Sequence, residues 1–170
     1  GAIGLTAAAE CKAAGAAKLI TFETSAPRRE ISRHMGADYV YNPLEVDPYT
    51  VVMDLTSGRG ADLQVEAAGA PDKTIPYMER CIAINGKIAQ VGRAATRVPM
   101  YLEQLQVRRG QVFGSQGHSG HGIFPSVISM MAAGLIDTRK MITARYTLDN
   151  VVDAIAQSTS RTDGKIMVKI

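Results

Sequence analysis

GAIGLTAAAECKAAGAAKLITFE, Gly1 to Glu23, reads as a turn, a helix, a strand and an acid, in that order. Gly1 and Gly4 fit the second and third glycines of a G-x-G-x-x-G turn, whose first glycine would lie two residues before Gly1. Ile3 to Ala14 is alanine-rich, free of proline and stopped by Gly15, so it predicts a helix. Ala17 to Glu23 predicts a strand buried on both faces. A helix start offers unpaired N–H groups and the positive end of the helix dipole, and glycine there lets a diphosphate approach. A carboxylate about 20 residues on, at a strand end, suits a ribose. Gly-x-x-Gly alone also describes a plain turn or a close helix contact; the helix, strand and Glu23 that follow favour the phosphate reading.

Working outward, helices and strands alternate. Ser25 is placed to cap a helix with Pro27 in its first turn and Gly36 at its end, and Tyr39 to Tyr41 is a strand stopped by Asn42-Pro43. Asp47 caps a helix that begins at Pro48, and SGRG, Ser57 to Gly60, is a turn. Leu63 to Ala67 is a strand, Asp72 to Ile84 a helix ended by Asn85-Gly86, and Lys87 to Val91 a strand. Leu102 to Arg109 is a helix, Gln111 to Ser115 a strand, and Phe124 to Ala133 a helix. This order predicts an α/β fold of Rossmann-like type, a doubly wound parallel sheet. After Asp137 the pattern changes to strand (Met141 to Tyr146), helix (Leu148 to Gln157) and strand (Lys165 to Ile170). Residues 1–137 are therefore expected to form a cofactor-binding domain that lacks its first strand, and residues 138–170 a segment of a different unit. Without a central strand, two sheet edges would stand unpaired, so the chain is expected to belong to a longer polypeptide.

Composition narrows the function. With 170 residues, 46% hydrophobic and 21% charged, the chain has the make-up of one globular domain. Its net charge of +3 is scattered; Arg28-Arg29 and Arg108-Arg109 are too short for a nucleic-acid stripe. No apolar run approaches the roughly 18 residues of a membrane span. Cys11 and Cys81, both on helical patterns, lack metal-site spacing and read as reduced thiols of a cytoplasmic protein.

Glu23 would repel a 2′-phosphate, so NAD is expected over NADP; Arg28 and Arg29 could instead stack on adenine or meet such a phosphate. Ligands of open α/β sheets lie at the carboxyl ends of strands, and small residues mark two such ends, Glu66-Ala67-Ala68-Gly69 and Val91-Gly92-Arg93. Ordinary turn chemistry would explain either one alone.

Five segments, GAIGLTAAAECKAAGA, FETSAPRR with MGADYVYNP, VEAAGAP, NGKIAQVGR and VRRGQVFGSQGHSGHG, together resemble the zinc-type medium-chain alcohol and polyol dehydrogenases, in the family's order. The sequence is most similar to the polyol and threonine branches, and GSQGHSGHG with FPSVISMMAAG resembles the scyllo-inosose (cyclitol) dehydrogenases. The resemblance implies that Gly1, Ala2 and Ile3 lie along the pyrophosphate, Glu23 holds the adenosine ribose, and Arg28 lies near the adenine. It implies that Ala68, Gly69, Val91, Gly92 and Arg93 line the nicotinamide ribose, with Ser115 and Gln116 near the carboxamide. It also implies that the C-terminal segment rejoins a catalytic, GroES-like domain. That domain would carry the zinc, its ligands and the proton relay upstream of this chain, so no catalytic or metal-ligating residue is expected here. In such enzymes zinc polarises the alcohol oxygen and hydride passes to NAD. A homo-oligomer pairing through Gln111 to Ser115 is implied too.

His118 and His121 could ligate a metal, line a polar turn, or bond a hydroxyl-rich substrate; the last is the expectation for His118. His118→Ala should then raise KM for a polyol while NAD affinity holds. Two other functions compete with the dehydrogenase reading: an S-adenosylmethionine methyltransferase, which shares the glycine turn and strand-end acid, and a non-catalytic nucleotide-binding module.

Overall fold

Among the described residues, every strand pairing is parallel. The computed structural model describes residues 1–117, 120 and 122–170. Two units emerge, the first formed by residues 1–45 and 120–170, the second by residues 46–119.

The first unit opens with α1 (Ala2–Ala13), then β1 (Ile20–Phe22), α2 (Ala26–His34) and β2 (Tyr39–Tyr41). β1 pairs with β2, Ile20 opposite Tyr39 and Phe22 opposite Tyr41. Strand β1 is shorter and more open than Ala17 to Glu23 predicts: Ala17 and Lys18 are exposed and the three strand residues half-buried. The Leu19 N–H is taken by the Asp38 carboxylate at 2.8 Å rather than by a ladder carbonyl, so regular pairing starts one residue later. Ser25 occupies the start of α2 as expected, but its hydroxyl makes no capping bond.

Leu5 and Ala9 of α1 and Ile31 of α2 pack with Met35, Ile136 and Met141 to form this unit's core. The unit also contains an apolar helix, Ile123–Ala132, 3₁₀ turns at Thr138–Met141 and Leu148–Asn150, and a strand–helix–strand segment, Ile142–Thr147, Val151–Ser158 and Lys165–Lys169, whose strands pair parallel.

The second unit contains α3 (Pro48–Leu55), β3 (Ala61–Glu66), α4 (Pro71–Met78), β4 (Ile82–Gln90), α5 (Leu102–Arg108) and β5 (Gln111–Gly114). Asp47 caps α3 as its sequence predicts, accepting from the Tyr49 N–H at 3.2 Å and the Thr50 hydroxyl at 2.9 Å. Strand order is β3-β4-β5, with β4 central.

One expectation fails here. Asp72 to Ile84 is not a single helix: α4 stops at Met78, and Ile82 already belongs to β4. Pro76 removes a helical N–H, and the Gln64 side chain donates to the Met78 carbonyl at 2.8 Å, which closes the last turn. Asn85, at φ 60°, with Gly86 forms a bulge inside the strand instead of a helix stop. A side chain at Gly86 would begin 2.6 Å from Ile82 Cγ1. Cys81 consequently lies in the turn before β4, not on a helix, and burial pushes its thiol up to about 11.

Ile75 and Met78 of α4 pack on Ile82 and Ile88 of β4. Ile88 has no exposed surface. Ile88→Val removes one methylene there and should lower the unfolding free energy by about 1 kcal/mol, measured by chemical denaturation.

Candidate functional site

In the first unit the turn and the acid meet. Gly1 precedes α1 and no side chain caps that helix, so the N–H groups of its first turn stay available. Glu23, directly after β1, reaches back 22 residues, and its Oε2 stands 3.1 Å from the Gly1 nitrogen. Its Oε1 accepts the Ser25 N–H at 2.9 Å. Burial acts to raise the Glu23 carboxyl, while the Ser25 amide and Arg28 act to lower it. Ala2 and Ile3 form the first turn beside it.

The two arginines are partly committed. Arg28 Nε donates to the Asp163 carbonyl at 2.8 Å, and a Cβ on Gly1 would lie 3.8 Å from Arg28 Nη1, so this guanidinium stands beside the start of α1. Arg29 Nη1 donates to the carbonyls of Glu23 and Thr24 at 3.0 and 2.7 Å, which braces the acid's own loop.

In the second unit the small-residue segments lie at the carboxyl ends of β3, β4 and β5. Ala68 and Gly69 follow β3, and Val91, Gly92 and Arg93 follow β4. Ser115 donates its N–H to the Gln90 carbonyl at 2.9 Å, placing it and the exposed Gln116 directly after β5. These residues share one end of one parallel sheet, as ligand-binding residues of such sheets do. His118 and His121 lie outside the described residues.

Sequence reasoning passed over Glu66. It is 1% exposed, and its carboxylate takes the Ala68 and Gly69 amides of the turn after β3 and the side chain of Gln90 at the end of β4. The signal was present, a lone acid ending an otherwise β-like segment just before Ala-Ala-Gly, but its partners are side chains and amides that only folding brings close. Gln90, which holds Glu66 and the Gly92 carbonyl, was missed for the same reason.

A nicotinamide dinucleotide fits these donors: an uncapped helix start for its diphosphate and an ionised strand-end acid for a ribose. Zinc does not fit, since among the described residues no three His, Cys, Asp or Glu side chains are grouped to hold a metal. Among the described residues, no helix is long and apolar enough to cross a membrane.

A family model described as zinc-binding dehydrogenase matches residues 2–133. The chain is 42% identical to scyllo-inosose 3-dehydrogenase of Thermotoga maritima, over all of its own length and 43% of the relative's. It is 30% identical to L-threonine 3-dehydrogenase of Thermococcus kodakarensis, over 98% of the chain and 48% of that protein. A solved structure from Thermotoga maritima, described as a candidate alcohol dehydrogenase, superimposes with a TM-score of 0.92 at 41% identity, over 98% of this chain and 44% of that one. The chain thus spans less than half the length of these relatives.

Proposed function

This chain belongs to the zinc-binding dehydrogenase family, and from that premise we propose that it is the NAD-binding part of an enzyme that moves hydride between a secondary alcohol or polyol and the cofactor. The observation that carries the proposal is the Glu23 carboxylate held beside the open start of α1. Gly1, Ala2 and Ile3 receive the diphosphate on backbone N–H groups. Glu23 accepts the two hydroxyls of the adenosine ribose, and Arg28 lies toward the adenine half. Ala68, Gly69, Val91, Gly92 and Arg93 take the nicotinamide ribose, with Ser115 and Gln116 at the carboxamide. Bound NAD would supply the hydride acceptor, and the chain's own work is to bind and orient it.

NAD is proposed over NADP because Glu23 is ionised and Arg29 is occupied by carbonyls. The name of the 42% identical relative supports a cyclitol such as scyllo-inosose as substrate. Residues 1–137 are proposed as the cofactor domain and 138–170 as the segment that joins the rest of the enzyme, where zinc would be held. His118 is proposed to bond the substrate. Pairing of copies through β5 is supported by its four exposed residues, Val112 and Phe113 among them. Free Cys11 and Cys81 suit a reducing cytoplasm.

The test is an absorbance assay of the full-length protein at the NADH band with cyclitols, polyols and L-threonine. NADH should form with at least one secondary alcohol, and NAD should outcompete S-adenosylmethionine for binding. Binding of S-adenosylmethionine alone would overturn the proposal.

A further inference from the structure

Glu66, the last residue of β3, is a fully buried carboxylate held by neutral donors. Its Oε1 accepts the Ala68 N–H at 3.1 Å and the Thr74 hydroxyl at 3.4 Å. Its Oε2 accepts Gln90 Nε2 at 2.9 Å and the Gly69 N–H at 3.3 Å. The backbone carbonyl of the same residue takes the N–H groups of Val91 and Gly92 at 3.0 and 2.7 Å. Gln90 extends the arrangement by donating to the Gly92 carbonyl at 2.7 Å. One residue therefore ties the turn after β3 to the turn after β4.

Burying a carboxylate is costly, and hydrogen bonds from neutral groups offset that cost only when the geometry is kept. Two turns that needed only to be closed could be held by a neutral side chain at a lower desolvation penalty. The arrangement also has a chemical consequence. The amides of Ala68 and Gly69 bond to the Glu66 carboxylate and those of Val91 and Gly92 to its backbone carbonyl, so these four are not free for an anion. The carbonyls of the same turns are acceptors, which suit the hydroxyls and amide of an uncharged ribose–nicotinamide rather than a phosphate.

We infer that Glu66 is the positioning residue of the nicotinamide half of the site: its carboxylate draws the Ala68 and Gly69 amides inward and, by holding Gln90, fixes the Gly92 carbonyl, so that both turns are set for ligand donors. This rests on the functional reading above. It is tested in the full-length, zinc-loaded protein with Glu66→Gln, which keeps the side chain's shape but sets an NH₂ against N–H donors. The probes are NADH, which reaches both halves of the site, and ADP, which reaches the adenosine half alone. NADH affinity should fall about tenfold, the effect of roughly one lost charge-assisted hydrogen bond, while ADP affinity stays within about twofold. KM for NAD should rise in step, with kcat changed less. Equal loss of both probes marks a general folding defect and overturns the inference, as does no loss of either. Should Glu66→Gln fail to fold, Gln90→Met keeps the carboxylate, removes one donor and frees the Gly92 carbonyl; it should weaken NADH about threefold and spare ADP, and any other pattern overturns the inference. If unaltered protein binds neither probe, the dinucleotide reading falls and this inference with it; normal wild-type binding with a wrong variant pattern sinks the Glu66 assignment alone.

Discussion

Glu23→Ala in the full-length protein is expected to weaken NADH about a hundredfold and to narrow its lead over NADPH. The carboxylate accepts one amide of its own loop at Oε1 and faces the start of α1 with Oε2, so it is held in place before any ligand arrives. Two charge-assisted bonds to ribose hydroxyls would together contribute about 3 kcal/mol, which is two decades in affinity. Alanine also removes the charge that repels a 2′-phosphate, so NADPH should lose less than NADH, or gain. The pH profile follows from the charge on Glu23. A glutamate whose Oε1 accepts the Ser25 amide and which has Arg28 near it is ionised at neutral pH and stays so under mild acid. Its contribution is present above the usual glutamate value of about 4.3 and is lost as pH falls through it. NADH affinity owed to Glu23 should accordingly be flat from about pH 8 to about pH 5. Fluorescence titration of NADH and NADPH checks all three points; an unchanged Glu23→Ala affinity would remove the acid from the site.

Gly92→Ala carries the second large effect, on stability and binding together. The added methyl would lie 2.3 Å from Glu66 Oε2, 2.5 Å from the Gly69 nitrogen and 2.9 Å from Gly69 Cα. Neither neighbour can retreat cheaply, because the carboxylate is buried with its donors and Gly69 is one of them. Gly92 is required for this close approach and not for an unusual backbone angle. Overpacking of this kind costs about 3 kcal/mol at the upper end of its range. NADH affinity should fall more than tenfold through displacement of both turns. Gly114→Ala is the matched control, since nothing stands within 4 Å of its added methyl. Urea unfolding should separate the two variants clearly. Equal stability would contradict the close contact between the β3 and β4 turns.

The local features were legible in the sequence because local chemistry dictates them. An uncapped glycine turn ahead of an alanine-rich helix, an acid at the next strand end, and Asp47-Pro48 opening α3 all depend on neighbours in the chain. The parallel pairing followed from the alternation of strand and helix. Asp72 to Ile84 misled because Ile75, Met78 and Ile82 repeat at helical spacing while belonging to two elements that pack on each other. Asn85-Gly86 permits a helix stop and a strand bulge alike, and the pairing with β3 decided between them. The buried state expected for β1 failed where the Asp38 side chain replaced a ladder partner. Long-range ties were invisible by nature: Gln90 lies 24 residues from Glu66, and Asp163 lies 135 from Arg28.

A crystal structure of the full-length protein with NAD bound probes the proposed site at its root. Diphosphate oxygens should lie within hydrogen-bonding distance of the Ala2 and Ile3 amides, with both Glu23 oxygens on the hydroxyls of the adenosine ribose. A dinucleotide bound away from the start of α1, or an adenosine ribose out of reach of Glu23, would contradict it.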